Sequence, residues 1–500
     1  MTKQVKYIAA FDIGTTNVKG ILVTKEGRIA YAANRPLQVL QSGEYIEQHP
    51  DDWTEAISSI LAEWFQSGAA AGEIALVSLS GQMQDMIPLN DYLRPVRPAI
   101  LYSDGRAGKE ADDVLETVGA ARIDEITGNP FNGTLVFPKL MWFKKHEPES
   151  YDRTKRIVIS AKDYVAARLT GRAATDFTSA ATAGCMNLHR GEWDGELIDR
   201  FGIRRDMFPD LLAPGDVVGT VHDEGARASG LLPGTPVLCG FGDAGASTLG
   251  AGVYAPGQAY LYLGTTGWAA AVSEHLISTE TGAFNLGYYR SKLYIPIAPL
   301  LNVGNVHRWA AETFGAGGAD DVYQAFDQTV EKGLAKRNRL LFLPYLNGER
   351  CPVQDPSASG SFIGIRQDTT REEMAAAALE GISLSMRQVV DILVPTGDRS
   401  GGITAIGGGA KSRVWCQLIA DVLQMTVHVP EESPYLPALG AAQPGFEQLG
   451  WDASLQAAAD RVIATLPRRS YFPDRQKREY YQGKYEAFQK LYPALKQLWE

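Results

Sequence analysis

The sequence predicts a mixed α/β fold built from two related domains, and three observations lead to this prediction. With 500 residues, the chain is longer than one ordinary hydrophobic core can organise. Strand-like and helix-like segments alternate along it, as they do in α/β domains. A strand-like run that ends in Gly-Thr-Thr occurs once in each half of the chain.

The first Gly-Thr-Thr turn lies in FDIGTTNVKG, residues 11–20, between two strand-like runs. A Walker-type phosphate loop needs Lys-Ser/Thr and a following helix, and neither is present. The segment therefore predicts a β-hairpin whose turn offers the hydroxyls of Thr15 and Thr16, with the Asp12 carboxylate at its entrance. Taken alone, this turn is either an anion site or a plain tight turn.

The second turn repeats this pattern in YLYLGTTGWAAAV, residues 260–272. Because each half contributes one hairpin, the repeat favours two domains that hold one polyphosphate ligand between them. A compact hinge is expected near residues 244–255, which divides the chain into residues 1–248 and 249–500.

The clearest helix is predicted over residues 371–393, where Thr370 and Glu373 have capping-box spacing and Pro395 is expected to end the helix. Other helices are predicted at residues 51–66 and 107–118. Strands are predicted at residues 74–80, 99–104 and 156–160.

Composition excludes several classes of protein. The formal charge is −10, from 48 basic and 58 acidic residues, so a general affinity for nucleic acid or acidic membranes is not implied. No apolar run reaches the length of a membrane span, and the N-terminus lacks the signal-peptide pattern. The four cysteines are far apart and without a CxxC pair, which favours reduced cysteines in a cytoplasmic protein.

Asp243 stands where the strand-like PVLCG gives way to a helix of small residues in FGDAGASTLGAG, residues 241–252. An Asp in this place is either a helix N-cap or, near a γ-phosphate, the group that accepts a proton from an attacking hydroxyl. Its position just before the second Gly-Thr-Thr hairpin favours the second interpretation.

A triple glycine joins a predicted strand to a predicted helix in ITAIGGGAKSRVW, residues 403–415. Gly408 and Gly409 could let a purine or a phosphate lie against bare backbone, or they could be plain turn residues. The segment does not match GxGxxG, so a dinucleotide site is not indicated.

Two polar segments, SGQMQD at residues 80–85 and DGRA at residues 104–107, each follow a predicted strand. Their side chains could bond a polyhydroxylated ligand, whose buried hydroxyls all need partners. The alternative is a surface loop that carries an Asp–Arg ion pair. The residues concerned are Gln82, Gln84, Asp85, Asp104 and Arg106.

Together these segments resemble the FGGY carbohydrate kinases, with the xylulokinase branch nearest. The two hairpins are similar to the family's phosphate motifs, GFGDAGASTLGAG to its catalytic-base segment, and AIGGGAKSRVW to its adenosine motif. Further similar segments run in the family's order from residue 8 to about residue 442, namely EYIEQHPDDW, SGQM, DGRA, ITGNP, FPKLMW, AKDYVAARLTG, FLPYLNGERCPVQDP and PALGAA.

The resemblance implies an actin-like, ribonuclease-H-like α/β domain in each half, with ATP and a sugar meeting in the central cleft. It implies transfer of the γ-phosphoryl group of ATP, with Mg²⁺, to a sugar hydroxyl. It also implies a homodimer, although no interface is visible in the residues.

Carried over by position, the resemblance assigns a role to each matching residue. Asp243 would be the general base, and Asp12 would hold magnesium through water. The residues around the phosphates would be Thr15, Thr16, Gly264, Thr265 and Thr266. Those at adenosine would be Gly408 and Gly409, and those at the sugar Met83, Gln84, Asp104 and Asp243.

This chain departs from the xylulokinase pattern at the implied sugar site. Xylulokinases typically have His-Gly after SGQM, where this chain has Gln84-Asp85, and commonly have Asn where it has Ala244. A site built for one hydroxyl pattern discriminates against another. A neutral ketose or polyol is therefore expected, with D-xylulose as the first candidate, and Asp85 would disfavour an acid such as gluconate if it faces the pocket.

Other functions stay open at this point. One alternative is an actin-like ATPase or an ATP-gated sugar-binding protein that phosphorylates no sugar. Another is a sugar sensor that has lost activity. The polar cluster at residues 82–106 and Asp243 favour the kinase over the first alternative, and the presence of both Asp12 and Asp243 argues against the second.

Overall fold

The computed structural model describes residues 5–290, 292–315, 321–394, 401–431 and 433–499. It contains two seven-stranded mixed sheets, which confirms the predicted α/β class. In spatial order, the first sheet consists of Val217–Thr220, Pro236–Leu238, Ile74–Gly81, Tyr7–Ile13, Asn17–Thr24 and Ile29–Pro36, with Phe241–Gly242 also paired to Ile74–Gly81. The second consists of Phe284–Gly287, Tyr294–Leu300, Gly267–Ala271, Ala259–Leu263, Ile403–Ile406, Val427–Pro430 and Arg468–Tyr471.

The two sheets share a central arrangement, as the repeated turn predicted. In the first, Tyr7–Ile13 pairs antiparallel with Asn17–Thr24 and parallel with Ile74–Gly81. In the second, Ala259–Leu263 pairs antiparallel with Gly267–Ala271 and parallel with Ile403–Ile406. Each half therefore places its Gly-Thr-Thr turn beside the carboxyl end of a neighbouring parallel strand.

Smaller sheets and helices cover the two large sheets. The strands Leu40–Ser42, Tyr45–Gln48, Ala99–Ile100, Met83–Leu89 and Arg156–Ser160 form a five-stranded sheet. Two-stranded pairs are Ala174–Asp176 with Asp210–Leu212, Met186–Asn187 with Glu192–Trp193, and Leu341–Leu343 with Ser361–Ile363.

The helices lie on the sheet faces and at their ends. In the first half they are Pro50–Gln66, Gly108–Val118, Ala120–Thr127, Val136–His146, Pro148–Arg153, Ala161–Thr170, Phe177–Ala180, Gly195–Arg200, Asp223–Ser229 and Asp243–Gly250. In the second they are Gly304–Phe314, Val322–Leu334, Arg371–Leu393, Arg413–Leu423, Leu436–Gln448, Leu455–Thr465, Arg478–Phe488 and Leu491–Leu495. Among the described residues, no helix combines the length and apolar character that crossing a bilayer requires.

The predicted helix over residues 371–393 is confirmed as Arg371–Leu393. Its capping box is complete, since Thr370 Oγ1 accepts from Glu373 N and the Glu373 carboxylate accepts from Thr370 N. The expected stop, Pro395, lies outside the described residues.

The strand predicted over residues 99–104 is shorter than expected and ends at Ile100. Tyr102 N donates to the Asp85 carboxylate at 3.0 Å, and Asp104 N donates to Leu101 O at 3.0 Å. Because these backbone groups bond a side chain and a turn, they cannot extend the sheet.

Helix Asp243–Gly250 is held by a close crossing with helix Leu436–Gln448. A Cβ atom on Gly440 would lie 2.0 Å from Ala246 O, and one on Gly250 would lie 2.0 Å from Leu436 O. Helix Leu436–Gln448 also packs against the first sheet, where Ser78 Oγ donates to Ala441 O at 2.5 Å. The backbone that begins at Asp243 therefore depends on two glycines for its position.

Gly440→Ala should lower the free energy of unfolding by about 1–3 kcal/mol, because the added methyl group forces two backbones apart. Urea denaturation measures this change. The matched control is Gly483→Ala, in an exposed helical position where a Cβ meets nothing within 4 Å. The control should raise stability by about 0.5–1 kcal/mol, as is usual for Gly to Ala in a helix. Equal effects of the two variants would contradict the close-crossing argument.

Candidate active site

Three parallel strands bring the predicted catalytic carboxylates to one sheet edge. Tyr7–Ile13 and Phe241–Gly242 both pair parallel with Ile74–Gly81. Asp12 and Phe241 lie opposite the same residue, Ser80, from its two sides. Because carboxyl ends of parallel strands meet at one edge, Asp12 and Asp243 come together there.

Asp12 is a buried carboxylate, 7% exposed, whose Oδ1 accepts from Ser80 Oγ at 2.9 Å. Burial raises the pKa of Asp12, and the charge of Lys19 acts in the opposite direction. Among the described residues, no group of three or more His, Cys, Asp or Glu side chains could hold a metal by itself. This fits magnesium, which is usually held by one or two carboxylates together with substrate phosphates.

Asp243 is the first residue of helix Asp243–Gly250, and the N-cap position belongs to Gly242. The Asp243 Oδ1 atom accepts from Ala244 N at 2.8 Å. Burial raises the pKa of Asp243 to about 7, and the charges of Asp12 and Asp176 act in the same direction. The carboxyl is therefore close to half ionised at neutral pH, as a general base requires.

A buried ionic cluster lies directly behind Asp243. Asp176, which is fully buried, accepts from Gly242 N at 3.2 Å with each carboxylate oxygen. Lys162 Nζ lies 3.1 Å from Asp176 Oδ1 and 2.5 Å from Asp163 Oδ1. Burial alone would lower the pKa of Lys162, but its two carboxylate neighbours raise it. The cluster therefore fixes the backbone at the residue before Asp243.

No sequence pattern indicated a role for this cluster. Lys162 and Asp163 belong to the AKDYVAARLTG segment, and Asp176 ends the short strand Ala174–Asp176. The one available signal was a Lys-Asp pair directly after an apolar strand, in a stretch that then continues as a buried helix.

Side-chain amides fix the tip of the first hairpin. Thr15 Oγ1 donates to Gln82 Oε1 at 2.8 Å, and Gln48 Nε2 donates to Thr15 O at 2.7 Å. Thr16 is exposed, and its Oγ1 accepts from Asn17 Nδ2 at 3.1 Å, which leaves its hydroxyl proton free to be donated. The turn has the donors that an anion site needs.

The second hairpin opens onto a cavity of about 990 Å³. Gly264 O accepts from Gly304 N and Thr265 O accepts from Asn305 N, each at 2.9 Å. These bonds join the turn to the first residues of helix Gly304–Phe314. Thr266 is exposed at the turn and does not line the cavity.

Gly408 and Gly409 line the same cavity as Gly264 and Thr265, so the structure brings the two predicted adenosine residues together with two of the predicted phosphate residues. A Cβ atom on Gly408 would meet nothing within 4 Å, which shows that this backbone faces open space. The cavity is also lined by Tyr323, Asp327 and Ser412. The cavity is large enough for a nucleotide.

His307 is a cavity residue that no sequence pattern indicated. It is 5% exposed, and its ring centroid lies 4.6 Å from that of Trp415. Burial lowers the pKa of His307 to about 4, so the ring is neutral. Its Nε2 atom has no hydrogen-bond partner within the described part of the chain.

The predicted sugar residues fall into two environments. Met83 packs against Gly242, the residue before Asp243, since a Cβ atom on Gly242 would be 2.6 Å from Met83 Sδ. Asp104 is fully buried and bonded through both oxygens to Arg106, at 2.9 and 2.6 Å. The ion pair that was the alternative interpretation of this segment is thus present.

Gln84 and Asp85 point in different directions. Gln84 is half-buried and has a left-handed backbone, with φ of 68°. Asp85 is fully buried, and its Oδ1 accepts from Tyr102 N at 3.0 Å. The expected exclusion of acids by Asp85 required this side chain to face the pocket, and it is instead enclosed beside Lys139.

Comparisons with known proteins give a consistent result. A model described as the FGGY family of carbohydrate kinases, N-terminal domain, matches residues 7–250, and the C-terminal domain of that family matches residues 259–446. The xylulose kinase of Bacillus subtilis (strain 168) is 30% identical over 498 residues, which are 99% of this chain and 98% of that protein.

Two solved structures have nearly the same fold. Xylulose kinase from Rhodospirillum rubrum matches with a TM-score of 0.89 at 28% identity, over 99% of this chain and 100% of that one. Gluconate kinase from Lactobacillus acidophilus matches with a TM-score of 0.88 at 27% identity, over 98% of each chain. The overall fold is therefore shared by kinases named for a ketose and for an acid.

Asp243→Asn should stabilise the folded protein at alkaline pH. Because the pKa of Asp243 is raised from 3.8 to about 7, ionising this group costs stability that accumulates between those pH values and stays constant above them. Each pKa unit corresponds to about 1.4 kcal/mol, and partial exposure reduces the effect, so we expect a gain of about 1–3 kcal/mol at pH 8.

Urea denaturation at pH 4 and pH 8 measures this gain, which should nearly vanish at pH 4. Asp112→Asn, an exposed position on helix Gly108–Val118, is the control and should change stability by less than about 0.5 kcal/mol at both pH values. A loss of stability in Asp243→Asn at pH 8 would contradict the raised pKa.

Proposed function

Since this chain belongs to the FGGY family of carbohydrate kinases, we propose that it transfers the γ-phosphoryl group of ATP to a hydroxyl of a neutral ketose or polyol, with D-xylulose as the first candidate. The observation that carries the proposal is the Asp243 carboxyl. It stands beside Asp12 at the meeting edge of three strands, with a pKa of about 7.

In this proposal Asp243 accepts the proton of the attacking sugar hydroxyl. Its raised pKa makes it a better base than an ordinary Asp, while it is still largely ionised just above neutral pH. The bonds from Gly242 N to Asp176 hold the preceding backbone in place, so the carboxyl does not have to be reoriented for each turnover.

In this proposal ATP extends from the cavity at the second hairpin towards the first hairpin. Gly408 offers open backbone to the adenosine, and Gly409 lines the same cavity. The phosphates are surrounded by Thr15, Thr16, Gly264, Thr265 and Thr266. Asp12, a buried carboxylate with one hydroxyl partner, would hold Mg²⁺, which when bound would neutralise charge on the phosphates.

The sugar lies between Met83, Gln84 and Asp243, and Asp104 shapes this wall through Arg106. Curated relatives named xylulose kinase support D-xylulose, whereas the similar gluconate kinase structure shows that the fold alone does not choose the sugar. The choice must come from polar groups in the pocket.

Location and assembly complete the proposal. We place the enzyme in the cytoplasm, where the free thiols of its four buried cysteines remain reduced. We take residues 1–248 and 249–500 as two domains that close on the substrates, and a homodimer as the assembled state. Light scattering after gel filtration tests the assembly.

The proposed function is tested by measuring ADP release from MgATP across neutral ketoses, pentitols, hexitols, glycerol and aldonic acids, with a no-sugar control. We expect a neutral ketose or polyol to give the highest kcat/KM. A best substrate among the aldonic acids would overturn the proposed substrate class. ADP release that ignores every sugar would favour an ATPase instead.

Asp243→Asn and Asp243→Ala should each lower kcat by about 10²–10⁴-fold, the usual contribution of a general base. In the wild type, kcat/KM should fall about tenfold for each pH unit below 7, because the carboxyl becomes protonated. Initial rates with saturating MgATP measure both effects, and Asp112→Asn is the control. Near-normal turnover by a folded Asp243→Asn variant would remove Asp243 from the mechanism.

A further inference from the structure

We propose that Gln84 is a pure hydrogen-bond acceptor toward the sugar, and that the substrate therefore presents a hydroxyl group to it, not a carbonyl or carboxylate oxygen. This inference rests on the proposed function, in which Gln84 lies in the sugar pocket. It deepens that function by naming the chemical group that the pocket selects at this position.

The orientation of the Gln84 amide is fixed by its partners. Gln84 Nε2 lies 3.0 Å from Thr134 O and 2.7 Å from Thr134 Oγ1. A backbone carbonyl oxygen can only accept, so the group that faces it must be the amide nitrogen. The reversed amide would place two acceptors against each other.

The direction of the second bond is fixed as well. Thr134 Oγ1 lies 2.6 Å from Asn132 Oδ1, which also accepts from Thr134 N at 2.9 Å. The Thr134 hydroxyl therefore gives its only proton to Asn132 and accepts from Gln84. Both amide protons of Gln84 are consequently used by Thr134, and only Oε1 remains for a ligand.

Gln84 Oε1 is available to a ligand. It has no hydrogen-bond partner in the described part of the chain, and it is not among the buried atoms that lack one. Gln84 is half-buried and follows Gly81, which pairs with Gly242, the neighbour of Asp243. The residue that carries the free acceptor therefore lies close along the chain to the edge where the proposed reaction takes place.

The backbone prevents Gln84 from adapting to a different ligand. Its left-handed conformation is unusual for a residue with a side chain and is kept only when the surroundings enforce it. Lys139 Nζ donates to Gln84 O at 3.1 Å and to Leu101 O at 2.7 Å. Burial lowers the pKa of Lys139 to about 7, and the charge of the neighbouring buried Asp85 acts in the opposite direction. Asp85 therefore acts on Gln84 through Lys139, which bonds the Gln84 backbone carbonyl.

These contacts select among sugars by the direction of a hydrogen bond. A hydroxyl can donate to Gln84 Oε1, whereas a ketone or carboxylate oxygen at the same place would face another acceptor without a proton between them. Polyols, and ketoses that present a hydroxyl carbon here, satisfy the site. An aldonic acid that presents its carboxylate here does not.

The test uses monodeoxy and monodeoxyfluoro analogues of the best sugar from the substrate panel, at every carbon except the one that receives the phosphate. Fluorine can accept weakly but cannot donate. At one carbon, we expect both analogues to lower the wild-type kcat/KM equally, by about 5- to 100-fold, as expected when a buried acceptor loses its partner.

Gln84→Met keeps the length of the side chain and removes its polar groups. In this variant the kcat/KM values of the two analogues at that carbon should match that of the parent sugar within about twofold. Removing the side-chain acceptor and removing the sugar hydroxyl then form a double-mutant cycle that isolates their interaction. Thr134→Val removes one of the two bonds that orient the amide but keeps the Thr134 carbonyl, so the penalties of the fluoro and deoxy analogues should both become smaller and stay equal to each other. Thr117→Val, on an exposed helical position, is the control for this change.

Three outcomes would overturn the proposal. A fluoro analogue that keeps wild-type activity where the deoxy analogue loses it would show that the sugar oxygen accepts. Turnover of the parent sugar with no carbon dependent on Gln84 or Thr134 would refute the polarity inference alone. Absence of turnover with every sugar would instead refute the proposed function, and this inference with it. If Gln84→Met fails to fold, the Thr134→Val comparison decides the question.

Discussion

The structure depends on placing two carboxylates, Asp12 and Asp243, close together in a site with little water. Burial raises the pKa of both carboxyls, and repulsion by the charge of Asp12 raises the pKa of Asp243 further. This arrangement costs folding stability, so other parts of the molecule must hold it in place. The same repulsion gives the site its use, because a cation and a polyphosphate can bind there and Asp243 becomes basic enough to accept a proton.

The support comes from both halves of the chain. On one side, the buried Lys162–Asp163–Asp176 cluster fixes the backbone at Gly242. On the other, helix Leu436–Gln448 crosses helix Asp243–Gly250 so closely that only glycine fits at Gly250 and Gly440. A buried ionic cluster is a weak source of stability, since desolvation offsets much of the attraction between its charges. Its value here lies in fixing the geometry next to the Asp12–Asp243 pair.

Local signals in the sequence predicted a large part of this structure. The Gly-Thr-Thr hairpins, the Thr370 capping box and the strand-to-helix junction at Asp243 are each encoded within a few residues, and each is present. Contacts between distant segments were not predictable: Asp176 to Gly242, His307 to Trp415, and Gln84 to Thr134. Asp85 shows the limit most clearly, because the sequence identified a carboxylate near the sugar residues but could not say that it faces Lys139.

Kinases named for xylulose and for gluconate share this fold at nearly equal TM-scores, so substrate choice must be made by few side chains. A charged residue facing the pocket would be one way to reject an acid, but Asp85 is enclosed and its field is opposed by Lys139. Hydrogen-bond direction is another way, because an acceptor with no proton to offer rejects every ligand oxygen that also lacks one. The direction of each hydrogen bond is fixed here, because Gln84 donates to Thr134 and the Thr134 hydroxyl donates to Asn132. Specificity of this kind requires no added charge. A single substitution that reverses the direction of these hydrogen bonds can change it.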